Sequence, residues 1–321
     1  MKVIVTGGAG FIGSCLVWKL NAEGITDIIV VDEKGREKAG NLKGKKISSF
    51  MEKNAFLASL GKLDLPGRGN IVVHMGAATS TTELDASYLI ENNYLYTKTL
   101  AMWALKKKTP FLYASSASTY GDGELGYSDA DRVTPKLKPL NMYGYSKHAF
   151  DLWLLNNRLT DKVTGFKFFN VFGPNEYHKG AMKSVIAKTF DTIAAGETMQ
   201  LFKSYKKEYA DGEQQRDFIY VKDAVEIVYF FLEHLDKKGI FNVGTGKARS
   251  WNDVAHALFS SLQQRPRIEY IPMPEELKAR YQYFTQANLT KLRKAGCHHR
   301  CLSLEEAVRD YAGYLKDRAY L

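Results

Sequence analysis

Short β-branched runs alternate with helix-period stretches through the first half of the chain, which is the pattern of a parallel sheet built from strand–helix–strand units. Lys2–Thr6 reads as the opening strand and residues 11–20 as the helix after it. Residues 28–31, 71–74, 111–114 and 165–169 are further buried strands, and residues 88–106 read as one long helix. The second half is less regular. A helix is expected over 184–195, a charged, mobile loop over 203–215, and a strand at 218–221 leading into an apolar helix over 224–232. A short strand follows at 239–243, Ser250 is placed to cap a helix beginning at Trp251, and Ser303 with Glu306 has the form of a capping box. The expected fold is α/β, a Rossmann-type doubly wound parallel sheet with a smaller mixed C-terminal substrate lobe. A dinucleotide-binding part would occupy residues 1–172 and the smaller lobe 173–321, with part of 218–260 returning to the first.

Composition narrows the function classes. No apolar run reaches the roughly 18 residues a membrane span needs, and Gly7, Gly8 and Gly10 break up the N-terminal apolar stretch, so a cytoplasmic enzyme is expected. Cys15, Cys297 and Cys301 are too few for a disulfide framework. The run Cys297-His298-His299-Arg300-Cys301 looks like a metal cluster, but it reads better as an exposed loop before the last helix, and no metal is expected. The formal charge of +10 comes with local lysine clusters but no nucleic-acid-binding motif. Those clusters are read as solvated surface that also attracts phosphorylated ligands.

The segment Thr6-Gly7-Gly8-Ala9-Gly10-Phe11-Ile12-Gly13 lies between the first strand and the first helix. Glycines at 7, 10 and 13 make a tight turn, let backbone approach a pyrophosphate, and pack helix against strand. The helix N-terminus then meets the phosphates. Asp32 closes the second strand, where an acidic residue usually binds the ribose hydroxyls of NAD. Lys34, Arg36, Lys38 and Lys53 are positive groups suited to the 2′-phosphate of NADP. From these residues alone the two dinucleotides are nearly balanced.

Tyr143 and Lys147 stand four apart, on one face of a helix, while Tyr145 points elsewhere. A phenol titrates near 10 and is a poor base at neutral pH. A nearby ammonium and a positive nicotinamide ring favour the phenolate, which then takes a hydroxyl proton as hydride leaves the same carbon. Ser115 and Ser116, at the end of the preceding strand, are placed to hydrogen-bond the substrate oxygen.

Taken together, TGGAGFIG, ASSASTYG, YGYSK, FNVFGP and QQRDFIYVKD resemble the extended short-chain dehydrogenases that modify nucleotide sugars. HMGAATSTTELD, NEYHKGAM and LKARYQYFTQA are similar to one branch, the ADP-glyceromanno-heptose 6-epimerases. The resemblance spans nearly the whole chain. It implies inversion of heptose C6 through a keto intermediate, with Tyr143 and Lys179 as acid/base groups, Lys147 as partner of the tyrosine, and Ser116 as a donor to substrate. It implies tightly bound NADP, with NAD less favoured, in contact with Gly7, Gly10, Phe11, Ile12, Gly13, Asp32, Glu33, Lys38, Lys53, Met75, Gly76, Ala77, Ala78, Thr79, Asn92, Lys147, Val171 and Lys179. It also implies an ADP-linked heptose meeting Ser116, Asn170, Ala181, Lys188, Phe202, Lys203, Ser204, Arg216 (at the pyrophosphate) and Tyr281. A homo-oligomer, a pentamer by resemblance, is expected, with no nucleic-acid or membrane partner.

Ala181 and Lys188 depart from the serine and histidine of the branch, and the loop after Phe202 is longer. A 4,6-dehydratase would carry an Asp-Glu pair where this chain has Ala117 and Ser118. A 4-epimerase or reductase shares the catalytic set and stays open. A non-catalytic nucleotide-binding protein is disfavoured because Tyr143 and Lys147 are both present.

Overall fold

The computed structural model describes residues 1–62, 69–278 and 281–321. Ala279 and Arg280 of the LKARYQYFTQA segment, and the side chain of Arg36, lie outside the described residues. The chain opens with strand β1 (Lys2–Thr6), helix α1 (Phe11–Ala22) and strand β2 (Ile28–Asp32). A 3₁₀ stretch (Arg36–Leu42) leads to β3 (Ser49–Glu52), α2 (Lys53–Ser59) and β4 (Asn70–His74). Helix α3 (Ala86–Leu89) passes through a π-helical turn (Ile90–Leu95) into α4 (Tyr96–Lys106), followed by β5 (Phe111–Ser116), α5 (Met142–Asn156) and β6 (Thr164–Phe168). Then come β7 (Asn170–Phe172), α6 (Val185–Ala194), β8 (Met199–Phe202), β9 (Gln215–Tyr220), α7 (Val221–Glu233) and β10 (Gly239–Val243). The chain ends with β11 (Ala248–Ser250), α8 (Trp251–Ser261), β12 (Ile268–Ile271), α9 (Glu275–Lys278), α10 (Thr290–Lys294) and α11 (Leu304–Lys316).

Seven strands pair in parallel in the order β10-β6-β5-β4-β1-β2-β3. Residues of β1, β2 and β4 are buried on both faces, which explains their unbroken apolar runs. Alternate residues go to opposite sides of the sheet. Val3, Val5, Val30 and Val73 share a core with Leu16 and Leu20 of α1 and with Val225 and Val228 of α7. Ile4, Ile29, Val31 and Val72 pack with Leu100 and Ala104 of α4 and with Phe150 and Leu154 of α5. The chain leaves β1 in one direction toward β2 and β3 and resumes at β4 on the other side. The carboxyl ends of β1 and β4 therefore flank the switch point where open α/β sheets form their crevice.

A small mixed sheet joins β7, β9 and β11, and β8 pairs with β12. Several elements were not anticipated. Strand β3 is a short edge strand with half-exposed residues, so it carries no apolar run to read, and α2 buries Phe56 alone. The expected 88–106 helix starts two residues earlier and contains the π turn. The 203–215 segment has no helix and, before Gln215, no strand. It is nonetheless held by side chains: Ser204 N–H donates to Asp211 Oδ1 at 2.7 Å, Tyr205 N–H to the Tyr283 hydroxyl at 3.0 Å, and Asn252 Nδ2 to Asp211 O at 3.1 Å. Among the described residues, no helix is long and apolar enough to cross a membrane.

Candidate active site

The glycine turn makes the first wall. Gly7 has φ +69°, and a Cβ there would lie 2.4 Å from Gly76 N, while one on Gly13 would lie 2.1 Å from Gly7 O. A side chain at Gly7 would run into the backbone at the end of β4, and one at Gly13 would push α1 away from the turn. No side chain caps α1, so its first N–H groups are left for a ligand. Gly7, Gly10, Phe11, Ile12 and Gly13 border a cavity of about 450 Å³ that also meets Met75, Gly76, Ala77 and Thr79 from the end of β4. This bare cradle fits a dinucleotide pyrophosphate.

A smaller adjoining cavity of about 90 Å³ is lined by Glu33, Lys53, Ala78 and Asn92, and both cavities are lined by Asp32 and Lys38. Asp32 is not a free carboxylate. Its Oδ2 accepts Ala9 N–H at 2.9 Å, and its Oδ1 accepts Lys38 Nζ at 2.9 Å and Glu33 N–H at 2.8 Å. Lys53 donates to Glu33 and, at 2.9 Å, to Asn92 Oδ1. The hydrogen bond from Lys53 holds the Glu33 carboxyl below its usual range. Two lysines thus balance two carboxylates where the adenosine ribose of a dinucleotide would lie.

Ser116, Tyr143, Lys147, Val171 and Lys179 line the other end of the larger cavity. Helix α5 is capped by Asn141, whose side chain accepts Gly144 N–H at 2.8 Å, and this sets Tyr143 and Lys147 on the cavity face while Tyr145 is exposed. Lys147 Nζ donates to Ala114 O at 2.9 Å, tying α5 to the end of β5. Burial lowers the Lys147 ammonium from 10.5 to about 8, with Asp151 opposing. Burial raises the Tyr143 phenol, and the Ser116 hydroxyl pulls it back down. Lys179 sits on a 3₁₀ turn (Tyr177–Met182), its Nζ 3.9 Å from Glu176 Oε2 and 4.9 Å from the Phe11 ring centroid. Burial depresses its ammonium, which Glu176 partly offsets.

The residues expected to meet the substrate separate into groups. Asn170 is exposed beside Val171, and Ala181 is exposed on the Lys179 turn. Lys188 lines a different depression with Tyr177, Gly180 and Lys183, so it does not border the large cavity. Phe202, Lys203, Ser204, Arg216 and Tyr281 border neither cavity but cluster around β8 and β9. Gln214 Nε2 donates to Phe202 O and Lys203 O, and the Arg216 guanidinium lies 5.0 Å from the Tyr281 ring centroid. Arg216 is 6% exposed, and the titratable groups around it are Tyr281, Tyr127 and Tyr209, which are uncharged at neutral pH. No ion pair joins it to a carboxylate among the described residues. A buried cation without an acidic partner is costly and suits an anion delivered by a ligand.

Several residues at the site were not singled out in the sequence. Asn93, one place after Asn92, accepts Ala78 N–H at 2.8 Å and donates to Ala78 O and Ser146 Oγ at 2.9 Å, so it locks the β4 loop onto α5. Only the π turn, a feature frequent at functional sites, marks it. His178 lines the large cavity, its Nδ1 3.1 Å from the Asn41 amide nitrogen. The 297–301 run is, as expected, a loop before the last helix, with His298, His299 and Arg300 exposed, although Cys297 itself is 3% exposed and packs in the main core. Asp223, His299 and Cys301 instead bring one ligand atom each to within 4.8 Å of one another. The His299 Nε2–Asp223 Oδ1 contact within that group is a 2.7 Å hydrogen bond.

Residues 3–244 match the NAD dependent epimerase/dehydratase family. The chain is 51% identical over 309 residues to the ADP-L-glycero-D-manno-heptose-6-epimerase of Nitratidesulfovibrio vulgaris, covering 96% of each. It is 46% identical to the protein of the same name from Fusobacterium nucleatum, over 99% of this chain and 100% of that one. The crystal structure of Helicobacter pylori ADP-L-glycero-D-manno-heptose-6-epimerase superposes with a TM-score of 0.81 at 27% identity, over 98% of this chain and 96% of that one.

Proposed function

The chain belongs to the NAD dependent epimerase/dehydratase family, and from that premise we propose that it inverts C6 of the heptose in ADP-D-glycero-D-manno-heptose to give the L-glycero epimer. The observation that carries this reading is that Tyr143 with Lys147, and Lys179 from a separate turn, open on the same cavity as the glycine cradle. A nicotinamide dinucleotide held there supplies a hydride acceptor and then a hydride donor. Inversion of a carbinol carbon through a ketone needs the sugar to present its opposite face, and its oxygen then needs an acid/base group in each pose.

Tyr143 on α5 serves one pose and Lys179 the other. Ser116 orients the carbinol oxygen, and the Lys147 ammonium favours the tyrosine phenolate. Lys179 is suited to its role because burial lowers its proton affinity, which eases release of the proton, while Glu176 partly opposes that shift. The ADP portion lies along Phe202, Lys203, Ser204 and Tyr281, with Arg216 on its pyrophosphate. Asn170 and Ala181 are proposed to meet the sugar, and Lys188, in its separate depression, is assigned to substrate on the resemblance alone. NADP is the proposed dinucleotide, with Lys38 and Lys53 turning from Asp32 and Glu33 to its 2′-phosphate. Residues 1–172 carry the dinucleotide in this scheme and 173–321 the nucleotide sugar, in a homo-oligomer whose size light scattering would measure.

Incubation with ADP-D-glycero-D-manno-heptose, followed by proton NMR, tests the activity. Conversion of the H6 signals to those of the L-glycero epimer is the expected result. An unchanged spectrum, with inversion instead at C4 of a UDP-sugar, would replace the reading.

A further inference from the structure

Beneath the catalytic face, Asp151 of α5 and Lys167 of β6 form an ion pair at 2.7 Å with side-chain exposures of 0% and 1%. A pair this deep is weak evidence for stability, because desolvating both charges offsets their attraction. What it touches is more telling. Asp151 Oδ2 also accepts the Ser115 hydroxyl at 2.8 Å, and Oδ1 accepts the Tyr113 hydroxyl at 2.8 Å. Lys167 Nζ donates to Thr119 Oγ1 at 2.6 Å, and that hydroxyl donates to Ser116 O at 2.8 Å. The pair therefore holds the Ser115 side chain directly and the Ser116 carbonyl through Thr119. Asp151 also stands one helical turn after Lys147, on the face that Lys147 and Tyr143 share.

We propose that the Asp151–Lys167 pair is a positioning device for the reaction. Asp151 keeps Lys147 charged, Lys167 keeps that influence from becoming too strong, and together they fix the Ser116 loop. This rests on the roles given above to Tyr143 and Lys147. The other titratable groups around Lys147 do not supply this charge. His74 on β4 is fully buried, titrates near 3 and stays neutral, and Tyr143 is the group acted upon. Around Asp151 lie Lys167, the Tyr113 phenol and His148, whose own charged form burial disfavours. Asp151 is thus the nearby negative charge that raises Lys147.

Three variants with opposed signs test this. Asp151→Asn keeps the shape but removes the negative charge that raises Lys147 and leaves Lys167 without its partner. The high-pH limb of kcat, where Lys147 loses its proton, should then move down by about one pH unit or more, with KM changed less than about twofold. Lys167→Met leaves Asp151 unopposed and should move the limb up. The double variant should return it to within about half a unit of the parent. An even loss of kcat at every pH with an unmoved limb would make the pair merely structural and overturn the proposal. Lys147→Met serves as the control. If it keeps full activity, the reading of Lys147 fails instead, independently of Asp151.

Discussion

Replacing Lys38 by alanine separates the two dinucleotides. Lys38 Nζ lies 2.9 Å from Asp32 Oδ1, with side-chain exposures of 21% and 6%, so the ammonium stands where a 2′-phosphate would meet Asp32. A hydrogen bond between charged groups contributes about 1.5–3 kcal/mol, and its loss should weaken NADP binding roughly 10- to 150-fold. The uncompensated carboxylate left behind adds repulsion of about 1 kcal/mol per unit of phosphate charge at an effective dielectric between protein and water. NAD lacks that phosphate and presents hydroxyls that a freed Asp32 can accept from, so its affinity should change by less than about threefold or improve. Titrating cofactor-stripped protein with each dinucleotide by fluorescence gives both constants. Equal losses for NAD and NADP, or an unchanged NADP constant, would refute the assignment of Lys38 to the 2′-phosphate.

Other consequences can be checked with equally direct measurements. Lys147 is 4% exposed and its ammonium is lowered from 10.5 to about 8, so the folded protein binds fewer protons than the unfolded chain between those values. Stability should therefore rise with pH across that window, and Lys147→Met should stabilise the fold by about 2–3 kcal/mol at pH 7, with the gain fading above pH 10. Urea titrations at several pH values showing a loss at pH 7 would contradict this. Arg216→Met should raise KM for the ADP-linked sugar by about tenfold or more with a smaller change in kcat, because one charge-assisted contact is lost in ground and transition states alike. A pure kcat effect would place Arg216 at the reacting carbon instead. Gly13→Ala puts a Cβ 2.1 Å from Gly7 O, so dinucleotide retention through gel filtration should be lost. Retention at parental level would mean the turn yields.

The sheet was legible because parallel strands covered on both faces must be apolar throughout, and β1, β2, β4 and β5 are written that way. The glycine turn and the Tyr143–Lys147 spacing were legible because each is a local geometric requirement. Strand β3 was not, since an edge strand with two exposed residues in four has no apolar code. The β8–β12 pair joins residues nearly seventy places apart, such as Met199 and Ile268, and no local pattern announces such a partner. The same holds for Arg216 against Tyr281 and for Asp151 with Lys167, where each residue alone looks like surface charge and only the fold buries it. Lys179 lay between these cases. Read alone it resembled a surface lysine, and its place on the cavity wall comes from the turn that Glu176 anchors, through hydrogen bonds at 2.6 Å from Ser184 N–H and Ser184 Oγ and at 2.9 Å from the Tyr311 hydroxyl.

The division of labour between Tyr143 and Lys179 is tested most directly by half-reactions. Each epimer of the ADP-heptose is mixed separately with dinucleotide-loaded Tyr143→Phe and Lys179→Met, and reduction of the nicotinamide is followed by absorbance. Two acid/base groups facing one cavity predict a crossed result, in which each variant loses oxidation of one epimer, keeps that of the other, and completes no inversion. Loss of both oxidations in Tyr143→Phe, with none in Lys179→Met, would mean that the tyrosine serves both poses and the lysine neither.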